Sequence, residues 1–305
     1  RKKPEKTIAW LLIFFIFPPL GLFLYIFLGR NWKKHKLHDT TNIEIEQLVL
    51  EAMGKVKNQE YHSLIELLSK NSESPLFRDN SIKIFKDGNE KFEYLKKELL
   101  KAKHHIHLEY YIVKSDNIGT EIKDILIKKA REGVEIRFIM DRVGSIGIKR
   151  SYIKELKDNG IDVVQYSYFL APLLRHINTQ INYRNHRKIV VIDGNVGFIG
   201  GNNIGDEYLG KDPKFGYWRD THLKITGDSV KDLNIRFILD WRYTTKEDLV
   251  LDKYFGNETL RLSNSKACKD IGIQIVSSGP DSTELDEIKS VSYTHLRAHE
   301  TLANL

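Results

Sequence analysis

Residues 76–262 read as an α/β domain, a mixed sheet flanked by helices, and a transmembrane helix precedes it. Two observations carry that expectation. Short apolar runs of strand length alternate with stretches whose apolar residues recur every three to four positions, the pattern of strands joined through helices. Ahead of them, Ile8 to Leu28 runs without a charge, long enough to cross a hydrocarbon core of about 30 Å at about 1.5 Å per residue.

Residues 1–38 are therefore expected to form a membrane anchor, with its span over about 8–28. Trp10 and Tyr25 lie near the two ends of the span, where amphipathic rings prefer the interface. Pro18-Pro19 should kink it. A signal peptide would have a shorter apolar core and a small-residue cleavage site, and no such site follows. The chain starts at Arg1 rather than Met, which suggests a missing upstream piece, possible home of another span.

Net charge is +7, and its location decides what it means. Before Asp39 stand Arg1, Lys2, Lys3, Lys6, Arg30, Lys33, Lys34 and Lys36 against Glu5 alone, so the rest of the chain balances. An excess confined to the flanks of an apolar segment fits anionic membrane lipids, with no nucleic acid partner. Those flanks are equal, so the positive-inside rule sets no orientation; a cytoplasmic catalytic domain at a bacterial cell membrane is the working expectation. A single cysteine, Cys268, permits neither an internal disulfide nor a cysteine-based metal site.

Residues 39–75 read as a helical linker, with apolar positions Ile43, Ile45, Leu48, Leu50 and then Leu64, Leu67, Leu68. After the polar break Ser72 to Pro75, the globular pattern begins. Ser81–Phe85 is expected as a strand, Lys86-Asp87-Gly88 as a turn, and Phe92, Leu95, Leu99 as a helix face. Ile106–Val113 is a second strand; Ile122, Ile125, Leu126 and Ala130 mark a helix closed by Gly133; Val134–Met140 is a third strand. A helix near Tyr152–Leu156 and a strand over Ile161–Tyr166 follow. His104, His105 and His107 could be metal ligands, but no further ligand set accompanies them, so a structural role is expected.

Downstream, Trp218–Gly227 reads as a strand and Val230, Leu233, Phe237, Ile238, Trp241 as a strong helix face. Gly272–Val276 begins another strand, and residues 263–289 are expected to open a truncated second domain. The final residues 290–305, SVSYTHLRAHETLANL, follow neither period and resemble translated sequencing-adapter DNA. They are excluded from fold reasoning as a foreign tail.

The chemistry concentrates in Asn185–Tyr208, NHRKIVVIDGNVGFIGGNNIGDEY, which sets His186, Lys188 and Asp193 in the spacing H-x-K-x4-D and adds Gly200-Gly201-Asn202-Asn203. KIVVID is expected as a strand, Asp193-Gly194-Asn195 as its turn, and VGFIG as the return. Two residues apart in extended chain, His186 and Lys188 leave the same face. A neutral imidazole beside an ammonium is a nucleophile next to a phosphate anchor. Lys188 would hold non-bridging oxygens, and Asn203 would donate its amide to the same oxygens. A nucleophilic histidine needs a carboxylate to orient its other nitrogen. Asp193, Asp206, Glu207 and Asp220 are the candidates, and spacing alone does not choose among them; Asp193 could equally be a turn former.

This stretch resembles the H-K-D motif of the phospholipase D superfamily. Residues 1–289 as a whole are similar to the bacterial cardiolipin synthases, through KTIAWLLIFFIFPPLGLFLYIFLGRN, HIHLEYYIV, FIMDRVGS, NHRKIVVIDG, FIGGNNIGDEY and WRDTHLKITG. The resemblance implies a phospholipase D-like domain over 76–262 with His186, Lys188 and Asp193 as the catalytic motif. It further implies that Asn203 binds substrate phosphate, Asp220 partners His186, and Glu109 and Asp141 line the pocket. No metal or other cofactor is implied. The reaction implied is transfer of a phosphatidyl group between two phosphatidylglycerol molecules through a phosphohistidine, giving cardiolipin and glycerol.

One departure matters. The family carries two H-K-D motifs, and a second H-x-K-x4-D is not found in this sequence. The missing histidine would be the acid that protonates the leaving glycerol oxygen. The expectation is a fragment that has lost its second half, or a homo-oligomer that completes one site from two chains. The rivals are a hydrolytic phospholipase D, a nuclease of the same superfamily, and an inactive membrane-bound module.

Overall fold

The computed structural model describes residues 4–25, 65, 68–69, 75–166, 185–255 and 271–277. The expected helical linker over 39–75, the basic flanks beyond residue 25 and the tail over 290–305 lie almost wholly outside these residues.

The apolar N-terminal segment is a pair of helices, α1 (Pro4–Ile16) and α2 (Pro18–Leu24). The break falls at Phe17, because Pro18 and Pro19 have no amide hydrogen to continue the α1 ladder. The two helices pack on each other. Gly21 sits so near α1 that a β-carbon there would lie 3.1 Å from the carbonyl oxygen of Ile13. Trp10 and Tyr25, expected at opposite ends of a span, are in edge contact with ring centroids 5.3 Å apart. The expected single transmembrane helix over 8–28 is thus two shorter helices over 4–24, and no helix among the described residues is long and apolar enough to cross a membrane.

The α/β expectation holds for the domain. Its strands are β1 (Phe77–Asp87), β2 (His105–Tyr110), β3 (Glu135–Asp141), β4 (Asp162–Tyr166), β5 (Ile189–Ile192), β6 (Val196–Gly200), β7 (Arg219–Thr226) and β8 (Ile271–Ile273). They form one mixed sheet in the order β4-β3-β2-β5-β6-β7-β1-β8. Pairings β2–β3 and β3–β4 are parallel, and the rest are antiparallel. The parallel strands are joined through α4 (Asn117–Arg131) and α5 (Arg150–Asp158), as parallel pairing requires.

Helix α3 (Gly88–Lys101) starts directly from β1, with the Asp87 carboxylate accepting from the Glu90 amide at 3.0 Å. The residues expected as a turn are therefore a helix cap. Phe92, Leu95 and Leu99 of α3 join Ile122 and Leu126 of α4 against Ile106, Leu108, Val190 and Ile192. Helix α6 (Val230–Thr245) covers the other face, where Val230 and Leu233 pack on Ile189, Val191 and Ile225. Because β5 contributes alternate residues to each core, both its faces are buried, and this is why IVVI has no polar member. A short helix, α7 (Leu251–Tyr254), follows.

Candidate active site

β5 is preceded by four residues, Asn185 to Lys188, whose side chains alternate. Asn185 and Arg187 turn toward the α6 side. The Asn185 amide bonds Glu109, its backbone N–H donates to Asp141 Oδ2 at 3.0 Å, and Arg187 pairs with Asp240 of α6 at 3.0 Å. His186 and Lys188 leave the opposite side, as the spacing predicts. His186 is exposed, and its ring stacks on Tyr111 with centroids 3.9 Å apart. The Lys188 ammonium stands 5.3 Å from the same Tyr111 ring and bonds the His186 carbonyl oxygen at 2.5 Å. Burial pulls the Lys188 pKa down, against the opposing pull of Asp220 and Asp141.

Asp220 stands at the start of β7, on the same face as His222 and Lys224, and its carboxylate lies against Gly201. A β-carbon at Gly201 would fall 2.0 Å from Asp220 Oδ1, so glycine is required for the carboxylate to sit there. Of the four carboxylates left open by spacing, three are engaged elsewhere. Asp206 accepts from the backbone of Asn117 and Ile118 at the start of α4, and Glu207 pairs with Lys114 at 2.7 Å. Asp193 lies at the far end of β5, separated from His186 by the whole strand. It accepts from the backbone N–H groups of Lys103, His104 and His105 at 2.8–3.0 Å. The third residue of the motif is thus not brought to the other two.

Asn203 is placed by a short parallel crossing of two loops, in which Val113 bridges Ile204. Its side-chain oxygen accepts from the Ile112 N–H at 2.9 Å, and its amide donates to the Tyr208 hydroxyl at 2.8 Å. One of its two N–H bonds is therefore spent on Tyr208, and only the other can serve a phosphate. Glu109 and Asp141, expected to line the pocket, are both buried and hold Asn185 from below. Burial, then the nearby Asp240, raises the Glu109 pKa well above the usual carboxylate range.

Sequence reasoning did not single out Tyr111, Tyr208, Arg187, Asp240 or Lys91. Lys91 is fully buried under the site with its ammonium 3.1 Å from the Tyr110 hydroxyl, and burial lowers its pKa well below normal. Strand alternation could have flagged Asn185 and Arg187 as inward-facing polar residues; nothing in the spacing marks the others. His105 and His107 pack among Tyr254 and Phe237 on the α6 side.

Residues 95–213 match the family described as "Cardiolipin synthase, PLD-like domain", and residues 1–30 match "Phospholipase_D-nuclease N-terminal". A cardiolipin synthase of Alkalihalophilus pseudofirmus is 44% identical over 289 residues, covering 92% of this chain and 56% of that protein. The major cardiolipin synthase ClsA of Bacillus subtilis (strain 168) is 39% identical over 303 residues, 95% of this chain and 61% of that one. The chain thus spans little more than half the length of these curated relatives. A solved phosphatidylserine synthase from Haemophilus influenzae Rd KW20 superposes with a TM-score of 0.46 at 16% identity, over 70% of this chain and 50% of that chain.

A mixed sheet between helices, presenting His186 and Lys188 from the entry to a central strand, is a phospholipase D-like domain. Within that class, residues 95–213 match the cardiolipin synthase model, and the chain is similar to curated cardiolipin synthases over 92–95% of its own length.

Proposed function

We propose that this chain provides one half of the active site of a membrane-bound cardiolipin synthase. Its substrate is phosphatidylglycerol, and the reaction is phosphatidyl transfer. A ring nitrogen of His186 attacks phosphorus, the bond to glycerol breaks, and the phosphatidyl group stays on the histidine. The hydroxyl of a second phosphatidylglycerol then attacks that phosphorus and passes its proton to the group that protonated the leaving glycerol, the phosphorus–nitrogen bond to His186 breaks, and cardiolipin forms. The leaving glycerol oxygen takes its proton from an acid outside residues 185–208, supplied by a second motif or a paired copy of the chain.

The observation that carries this reading is the joint placement of His186 and Lys188 around Tyr111, on a chain 44% identical to a cardiolipin synthase. Lys188 and the free amide N–H of Asn203 hold the non-bridging oxygens, and Asp220 orients and charges the histidine. Asp193 belongs to the scaffold in this reading, with Glu109 and Asp141 acting through Asn185. No metal or cofactor takes part. The domain faces the cytoplasm, and the charge balance of the chain beyond residue 38 taken as a whole speaks against nucleic acid.

The exposure of His186 favours a second reading, hydrolysis, because water can reach the phosphohistidine. Incubation of the complete enzyme, second motif or paired copy included, with labelled phosphatidylglycerol in vesicles separates the two; the 305-residue chain as a monomer is expected to be inactive. Cardiolipin and glycerol are expected; phosphatidic acid without cardiolipin overturns the transfer reading.

A further inference from the structure

Two loops border the site. Residues 142–149 follow β3 and pack on Tyr111, the ring under His186: Ser145 donates to the Tyr111 carbonyl at 3.1 Å, and Gly144 sits against that residue. Residues 210–218 lead into Asp220, and Trp218 packs on Tyr208, the partner of Asn203, with centroids 5.1 Å apart.

Both loops expose large apolar side chains. Ile146 is 85% exposed and Tyr217 73%, the two highest values for large hydrophobics among the described residues of the domain, and Phe215 is 49% exposed. A single exposed apolar residue carries no meaning. Here three fall on two short loops that both touch the site, and cations surround them. Arg142, Lys149 and Arg150 flank the first loop, whose adjacent acid, Asp141, is buried; Lys211, Lys214 and Arg219 flank the second beside Asp212 and the half-buried Asp220, and all six cations are exposed. Residues 76–262 carry 33 basic against 27 acidic residues, 33 − 27 = +6, and these two loops with their flanks hold much of that excess.

We propose that the two loops form a membrane-docking rim. Ile146, Phe215 and Tyr217 enter the headgroup–acyl boundary of an anionic bilayer, while the surrounding lysines and arginines bind lipid phosphates. This deepens the lipid-substrate reading and rests on it. A phosphodiester lies at headgroup depth, so a site whose rim sits in the interface meets it without lifting the lipid out of the bilayer. Desolvating the mouth also favours a lipid hydroxyl over water as acceptor.

The test is amide hydrogen exchange of the full chain with and without vesicles of equal parts phosphatidylglycerol and phosphatidylethanolamine. The readout resolves individual loops, so attachment through residues 1–38 does not mimic the result. Exchange in 142–149 and 210–218 is expected to slow by roughly tenfold on adding vesicles. The slowing should disappear in the I146S/F215S/Y217S variant, with protection of β2 and β5 unchanged. Should that variant misfold, K149E/K211E/K214E is expected to lose the same slowing. Unaltered exchange in both loops, or slowing that survives in a folded variant, overturns the proposal. Cardiolipin formation is assayed in the same samples. Product without loop protection defeats the docking rim alone; loop protection with no lipid product, in samples where a second motif or a paired copy completes the site, defeats the substrate reading alone.

Discussion

The carboxylate of Asp220 occupies the space that a side chain on Gly201 would need, with 2.0 Å between Oδ1 and the position of a β-carbon. Gly201→Ala should therefore push Asp220 away from Lys188 and His186. Turnover is expected to fall about 100-fold, the cost of losing one preorganised electrostatic group, while the melting temperature changes little. Near-normal turnover in this variant would remove Asp220 from the proposed site.

His186 is exposed and supports no core. His186→Ala should keep the fold, judged by circular dichroism and melting temperature, and lower turnover by about 1,000-fold or more, as loss of a covalent nucleophile does. Retention of normal lipid turnover would refute the central assignment.

Asp193 makes the opposite prediction. Its carboxylate satisfies three backbone N–H groups, and its φ of 52° is a left-handed turn conformation that Asp and Asn tolerate better than most residues. Asp193→Ala should cost about 2–3 kcal/mol of stability, measured by urea unfolding, and leave turnover per folded molecule nearly intact. A large loss of turnover without destabilisation would place Asp193 in the chemistry after all.

The buried histidines set an acid limit. Burial lowers the His105 pKa to about 4, and burial likewise lowers those of His107 and His222. Unfolded, each binds a proton near 6.5; folded, His105 stays neutral down to about 4. The unfolded state therefore holds more protons across that window, so stability is full above pH 6.5 and falls as the solution is acidified. His105 alone accounts for about 3 kcal/mol by pH 4. Melts between pH 7 and 4.5 should show this slope, and His105→Gln should make it shallower by about 1.4 kcal/mol per pH unit. An unchanged slope in that variant would remove His105 as a source.

Arg187 and Asp240 join the strap carrying His186 to α6, and both partners are largely buried. Asp240 also pairs with Arg236, so Asp240→Ala strands two guanidinium groups, and a cost of about 3–5 kcal/mol is expected. Adding Arg187→Met should recover part of that loss in urea unfolding; no recovery would mean that Arg187 and Asp240 do not act as a unit.

Much of the domain was readable from the residues. β5 matches its expected apolar core, and α6 presents the expected face, because both are set by periodic burial against a sheet. The side on which His186 and Lys188 emerge was readable for the same reason. Two features were not. Pro18-Pro19 mark the break in the 8–28 run, as expected, but nothing local shows that Gly21 lets the second helix pack back on the first. The strand between Lys188 and Asp193 and the turn at Asp193 are readable, but not that the Asp193 carboxylate is taken up by the backbone N–H groups of Lys103, His104 and His105. Tyr111 and Tyr208 reach the site only through the loop crossing at Val113 and Ile204, a long-range pairing with no local signature.

The alternation of Asn185 to Lys188 has a consequence for insertions and deletions. Losing one residue from this strap would keep nearly every functional side chain in the sequence, yet rotate the set by half a turn. The arginine would then face the lipid and the histidine the underside of the sheet. Length is thus as strictly constrained here as identity, and a frame-preserving indel at this point should inactivate the protein as completely as replacing His186 itself.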